Sequence, residues 1–473
     1  MKRKALFWGI MALLLPWASL VSAGSLDTFG ASSRGTAMGG AMVGIAEGWE
    51  ATYYNPSALG LSRDSTAVEV STFSGGMVIN DIPSFGGGFG AKFGVSHRFL
   101  RDRLGVGLTV GVPPGGSGLS LDPTALLGGG GGSEWGLYKD QLPVLLGVGV
   151  GLRITDWLSV GVATSPKQNL ISMGYYPLVI DPILESLIGI RTGVIPSNIQ
   201  STSFSMGSYD GTDVAVAYNV TLRPSKYLSL GYVYRPETTT RLKLRLELVG
   251  GEGSLLPESQ FMLFDITMPS GPETTIYGGA GHIPLPWNDG LLTLAYQHET
   301  QNWAGFYQQT IQYQWTPSDI FRPEWFSNAG GDPPLLEDVA FDRYGFEYDG
   351  SANPLLFWKL KNLSNARFAV RGGYYHWNSP QQQPRYTYQL AMIDSDADVY
   401  SFGLGFSYDR KRKVRIDGVP PRISIDLHYQ RIDLEDRNYQ FRPDDFGNVP
   451  LSGNYLETGG SVTQLGAQIT WWQ

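Results

Sequence analysis

A chain of 473 residues with no cysteine has no disulfide, thiolate zinc site or cysteine nucleophile to draw on, so burial and backbone pairing alone must hold its fold. Its 43 acidic residues outnumber 35 basic ones, for a formal net charge of −8, which argues against nucleic acid as a partner. Glycine (61), tyrosine (25), phenylalanine (21) and tryptophan (13) are plentiful while charged residues make up only 16%, a mixture that suits a β-rich protein with aromatic girdles better than a soluble helical one.

At the start of the chain, Lys2, Arg3 and Lys4 precede an apolar run over residues 5–15, and "VSA" offers small residues before Gly24. This pattern predicts a secretory signal peptide over residues 1–23. Nothing downstream reaches the roughly 20 apolar residues of a membrane helix. Residues 30–48, "GASSRGTAMGGAMVGIAEG", are almost wholly small, and "WEATYYNPSALG" follows at 49–60. Small residues permit close packing within a wall, Asn55 before Pro56 favours a turn, and Trp49, Tyr53, Tyr54 and Leu59 are anchors that a disordered leader lacks. Because this stretch precedes the first strand, residues 24–62 are expected to fold back as a hatch, with residues 63–473 forming the rest.

From there on, period 2 dominates. In "RLGVGLTVGV", Leu104, Val106, Leu108 and Val110 oppose Gly105, Gly107, Thr109 and Gly111, and in "YSFGLGFSYD" aromatic and aliphatic residues alternate with Ser401, Gly403, Gly405 and Ser407. Tight polar connections at 100–103, 154–157, 223–226, 284–290, 361–365 and 409–421 alternate with long ones near 114–141, 167–209, 316–340 and 432–460. A soluble sandwich also alternates along its strands, but this loop alternation marks a transmembrane barrel with short periplasmic turns and long extracellular loops. Counting gives about 14 antiparallel strands: 65–73, 85–99, 103–113, 142–153, 157–166, 210–222, 227–249, 261–282, 290–315, 341–360, 364–377, 387–409, 421–432 and 460–473. An even number puts both ends in the periplasm. The strands at 227–249, 261–282 and 290–315 exceed a bilayer and should stand above it as a collar. The closing strand "TQLGAQITWWQ" is the expected signal for the barrel assembly machinery, although Gln473 stands where an aromatic end is usual.

The order of signal peptide, "RGTAMGGAMVGIAEGWEATYYNPSALGL" and a first strand, together with "VAYNVTLRPSKYLSLGYVYRPE" and "NARFAVRGGYYHWNSP", resembles the FadL/TodX family of outer-membrane transporters for long-chain fatty acids and other hydrophobic compounds. The resemblance implies an all-β, 14-stranded barrel plugged by an N-terminal hatch, whose Asn-Pro-Ala turn maps onto Asn55, Pro56 and Ser57. Ser57 departs from the usual alanine. It also implies capture of a hydrophobic ligand at extracellular loops and sideways release at an inward kink of the third strand, where Gly105, Gly107 and Gly111 lie.

Other candidates rest on residue type. The loop 167–209 holds "YYPLVIDPILESLIGI", in which Tyr175, Tyr176, Leu178, Ile180, Ile183, Leu184, Leu187 and Ile188 form either a greasy landing site or a helix packed on the barrel rim. Glycines 147, 149 and 151 suit contact with the hatch, and Lys139, Lys167 and Arg191 are candidate carboxylate-binding cations. Ser424, Asp426 and His428 share one strand face, but neighbours two residues apart project in parallel almost 7 Å apart, which favours a polar ladder over a hydrolase triad. His97, His282, His298 and His376 lack zinc-ligand spacing, "DSDAD" has Val399 where a calcium loop needs glycine, and "GGGGG" lacks the lysine of a phosphate loop. The reading is a passive outer-membrane channel without cofactor or metal: a monomer among lipid and lipopolysaccharide. Its rivals are an adhesive barrel and a lumenal enzyme.

Overall fold

The computed structural model describes residues 30–79, 82–83, 87–112, 145–164, 176–178, 201–207, 216–249, 260–286, 289–304, 310–315, 337–351, 366–380, 396–409, 422–440 and 455–472. Fourteen strands form one closed antiparallel barrel. They are β1 (Ser65–Ile79), β2 (Gly87–Phe99), β3 (Leu104–Val112), β4 (Leu145–Arg153), β5 (Leu158–Thr164), β6 (Val216–Ser225) and β7 (Leu228–Arg235). The second half is β8 (Glu273–Leu285), β9 (Gly290–Asn302), β10 (Val339–Ser351), β11 (Ala366–Trp377), β12 (Ala397–Asp409), β13 (Arg422–Gln440) and β14 (Tyr455–Trp472). Each strand pairs with the next, and β1 closes the ring on β14 from Ser65↔Trp472 to Ile79↔Thr458. A closed ring leaves no unpaired edge, which is what a sheet in lipid requires.

The period-2 pattern fixes which face is which. On β12, Tyr400, Phe402, Leu404 and Phe406 are exposed, whereas Ser401, Gly403 and Gly405 are buried. Around the ring, Val68, Val160, Leu230, Leu294, Phe346, Leu427 and Ile469 form an outward apolar belt. Tyr232, Tyr277, Tyr296, Tyr344, Tyr374, Tyr400 and Tyr429 bound it at the long-loop end, and Trp157, Tyr227, Tyr408 and Trp471 at the short-turn end. An apolar band between two aromatic girdles is the surface of a transmembrane barrel. Among the described residues no helix is long and apolar enough to cross a membrane.

The structure departs from the sequence reading in three places. The connection expected at 432–460 is mostly hairpin, with β13 and β14 paired as far as Gln440↔Tyr455. Past the lipid the pattern inverts, with Ile432 and Leu434 turned to the lumen and Arg431 and Asp433 outward, and charges follow without alternation from Glu435 to Arg437. The three long strands are each broken in two. Residues Thr238–Val249, Gln260–Gly271 and Thr310–Trp315 pair in a separate five-stranded sheet with Ser201–Gly207 and Tyr176–Leu178. Pro236 and Pro272 stand at two of the breaks, where a missing N–H ends a ladder. Finally, the stretch 167–209, expected to be a loop, supplies the last two of those strands.

Candidate functional site: a plugged lumen

Residues 30–62 lie inside the barrel. A short helix α1 (Ser33–Ala37), capped by Ser32 Oγ accepting from Gly35 N at 3.0 Å, packs against β11, β12 and β13. A turn over Gly48–Glu50, helix α2 (Ala51–Tyr54) and a turn over Pro56–Gly60 follow, the last packing against β3, β4, β5 and β6. The segment therefore spans the lumen from wall to wall. Pieces this short leave most backbone groups unpaired, and the wall supplies partners. Gln468 Oε1 accepts from Ser33 N at 2.9 Å, Gln297 Oε1 from Met42 N and Val43 N at 3.2 Å each, and Ser65 Oγ from Trp49 N at 2.8 Å.

The turn at Asn55, Pro56 and Ser57 is fully buried. Asn55 Nδ2 donates to Val43 O at 2.7 Å and to Thr221 Oγ1 of β6 at 2.9 Å. Ser57 Oγ donates to Asn55 Oδ1 at 2.6 Å and lies 2.6 Å from Thr221 Oγ1, while Ser159 Oγ of β5 donates to Ser57 O at 2.6 Å. The hydroxyl that sets Ser57 apart from alanine thus joins the plug to the wall.

Close approach explains the lumenal glycines. A Cβ on Gly105 would run into Leu59 O, and one on Gly107 into Thr52 Oγ1 and Leu59. On Gly151 it would come 2.5 Å from Pro56 O and 2.7 Å from Gly60 N. Gly231 lies under Val43 O, and Gly373 under the backbone of Met38 and Gly39. Gly111 differs, since its added Cβ would meet Ala91 O and Lys92 of β2 rather than the plug. Strand β3 is paired with β2 over Leu104–Val112 and with β4 over Leu104–Gly111.

The plug divides the lumen into unlike halves. Toward the long-loop end, Phe341, Tyr375, Ala397, Val399 and Ile432 form a buried apolar cluster joined by Trp377, Leu434 and Val462. Beneath it the Arg343 guanidinium lies 4.1 Å from the Tyr375 ring centre, 3.3 Å from Glu299 and 3.3 Å from Gly39 O. Sequence reading missed this cluster, although its signal is present: inward positions turn apolar only near one end of each of several strands. Toward the short-turn end is a cavity of about 390 Å³ walled by charged groups, among them Arg34, Glu50, Arg223, Arg367, Arg422 and Asp426. Arg34 of the plug makes a bidentate contact with Glu347, at 2.9 and 3.1 Å, and Arg371 bridges Glu347 to Asp426.

Glu50 is the odd member of this network. Burial pushes its carboxyl up to about 7, against the lowering pull of Arg34, whose Nη1 is 3.8 Å from Oε2. Glu50 Oε2 has no hydrogen-bond partner among the described residues. A raised carboxylate favours the seated plug at low pH, and that advantage is lost as pH rises from the ordinary 4.5 through about 7. Seating is expected to weaken by at least about tenfold between pH 5 and pH 8. Amide exchange over residues 31–62 reads it, and Glu50→Gln should flatten the profile; an unchanged slope in that variant would assign the effect to another group.

Several sequence candidates lie outside the described residues: the signal peptide, Lys139, Lys167, Arg191, Tyr175, Ile180, Ile183, Leu184, Leu187 and Ile188. Tyr176 and Leu178 are seen as the ends of a three-residue strand. On β13, Ser424 Oγ accepts from Trp472 Nε1 at 3.2 Å and Asp426 is bound to Arg371 at 2.6 Å. Neither His428 ring nitrogen has a hydrogen-bond partner among the described residues, so the three are not linked as a triad.

A closed transmembrane barrel with its N-terminal segment seated in the lumen is the class that this geometry defines. No family model and no curated protein sequence matches the chain. Among solved structures, its fold is similar to that of a FadL homologue from Pseudomonas aeruginosa, with a TM-score of 0.54 and 13% identity over 93% of this chain and 98% of that one. The toluene transporter TodX of P. putida gives a TM-score of 0.49 and 11% identity over 94% and 99% of the two chains.

Proposed function

We propose that this chain is an outer-membrane channel of the FadL/TodX type for passive uptake of hydrophobic small molecules, with long-chain fatty acids or related hydrocarbons as its substrates. The observation that carries this reading is the graded lumen: an apolar cluster at the long-loop end, closed from below by a plug whose far side is charged. Apolar ligand entering from the loops gains the transfer free energy of burial on that cluster, about 25 cal/mol per Å² of apolar surface. It cannot continue along the axis without displacing the plug. The fold shared with a FadL homologue supports this reading.

In this reading residues 1–23 direct export, the mature chain begins at Gly24, and the plug end and both termini face the periplasm. Sideways release past Gly105, Gly107 and Gly111 of β3 requires Leu59 and Thr52 to withdraw first, because they fill the space beside two of those glycines. Proteoliposomes loaded with a fluorescent acceptor test the reading. Uptake of a labelled long-chain fatty acid or of toluene is expected to exceed that of protein-free vesicles several-fold, with small hydrophilic solutes excluded. No uptake of either hydrophobic probe would leave an adhesive barrel as the better account.

A further inference from the structure

Twice on the outer face of the barrel, a tyrosine and a histidine two residues apart share one carboxylate of the next strand. On β9 and β10, Tyr296 Oη donates to Asp342 Oδ1 at 2.7 Å and His298 Nδ1 lies 2.8 Å from the same oxygen. On β11 and β12, Tyr374 Oη donates to Asp398 Oδ1 at 2.9 Å and His376 Nδ1 lies 3.0 Å from it. In both, the tyrosine belongs to the loop-end girdle and the histidine stands one outward position beyond it, off the apolar belt.

The two constellations differ in their third member. Beside the second, β13 brings Glu435, so that one ligand atom from each of His376, Asp398 and Glu435 falls within 4.8 Å of the others. Among the described residues no other trio of metal-ligating side chains does this. The backbone is specific here: the β13 register with β14 shifts between Leu434 and Arg437, and Glu435 N donates to the O of Asp396, just before β12, at 2.8 Å. Bulges of this kind re-aim side chains. The neighbouring cations are engaged elsewhere, Arg437 with Asp396 at 2.6 Å and Arg431 with Asp433 at 2.7 Å. Among the described residues no lysine or arginine pairs with Asp398 or Glu435, which leaves two negative charges side by side next to a neutral-capable imidazole.

We propose that His376, Asp398 and Glu435 bind a divalent transition-metal ion of the Zn²⁺ type at the outer rim of the barrel. One imidazole nitrogen and two carboxylate oxygens are a donor set for such an ion, with bonds of about 2.0–2.2 Å. Small rotamer changes in the half-exposed side chains close the ligand separations to that sphere. On binding, the ion sits between His376 Nδ1 and Asp398, the ring ligates through Nδ1 as the tautomer that carries its proton on Nε2, and any proton held on Nδ1 leaves to water. Two carboxylates neutralise the ion, and the remaining coordination position faces outward, open to water or an anionic oxygen. The ion would join three successive strands beyond the girdle, and this role does not depend on what the channel carries.

The test uses the full chain in detergent, stripped with chelator and titrated with Zn²⁺ by calorimetry, with a check of heat-modifiable mobility for each variant. The parent should bind one equivalent that His376→Ala and the isosteric Glu435→Gln each weaken by at least about tenfold. His298→Ala serves as the control, because it removes the matching His–Asp pair that lacks a third ligand, and it should bind like the parent. Absence of saturable Zn²⁺ binding by the parent, or binding unchanged in both His376→Ala and Glu435→Gln, would overturn the site. Displacement of Zn²⁺ by an equal concentration of Ca²⁺ would overturn its assignment to a transition metal.

Discussion

Replacing Gly151 and Gly373 together with valine is expected to open the pore while leaving the barrel assembled. The two glycines lie on β4 and β11, seven strands apart in a ring of fourteen and hence on opposite walls. Each new side chain meets plug backbone rather than a movable side-chain tip: Pro56 O and Gly60 N at one wall, Met38 and Gly39 at the other. Overpacking of this kind costs about 1–3 kcal/mol per site, and well-separated sites add. The ratio of unseated to seated plug should therefore rise by roughly 30-fold to 10⁴-fold in the double variant. Valine favours strands, so the sheet itself loses nothing. Planar-bilayer conductance should rise stepwise from single to double variant, with normal heat-modifiable mobility. A folded double variant that conducts like the parent would show that the plug is not held by close approach to these walls.

The second large effect falls on the charged floor. Arg371→Ala removes the cation that binds both Glu347 and Asp426, leaving, among the described residues, Asp426 with no charged partner and Glu347 with Arg34 of the plug alone. Breaking a buried ion network from one side costs about 3–5 kcal/mol, because the surviving charges stay desolvated. The variant should lose its folded mobility several degrees below the parent. Combining Arg371→Met with Asp426→Asn should restore most of the loss, since no lone charge then remains. A single Arg371→Ala variant as stable as the parent would mean that water in the adjoining cavity solvates these carboxylates.

The barrel was legible because membrane lies on one side of each strand and a tightly filled lumen on the other, which forces the strict alternation of Tyr400 to Phe406 against Ser401 to Gly405. Where that contrast ends, as beyond Ile432, so did the reading. The glycines announced something special about the strand face but not its partner: nothing in the spacing of Gly105 and Gly107 tells that Leu59 and Thr52 of the plug lie against them. Phe341, Tyr375, Val399 and Ile432 come from four strands, so each looked like an ordinary inward residue until the ring brought them together. His376, Asp398 and Glu435 are likewise spread over three strands, and no spacing rule along the chain could join them.

The fit between plug and wall also bears on heredity. Val43 can keep its place only while position 231 lacks a side chain, and Met38 only while position 373 does, so changes far apart in the chain are tolerated in pairs or not at all. Residues 30–62 are therefore not a portable module. A chimera that grafts this segment onto another barrel would inherit a key without its lock, and the two parts must diverge together.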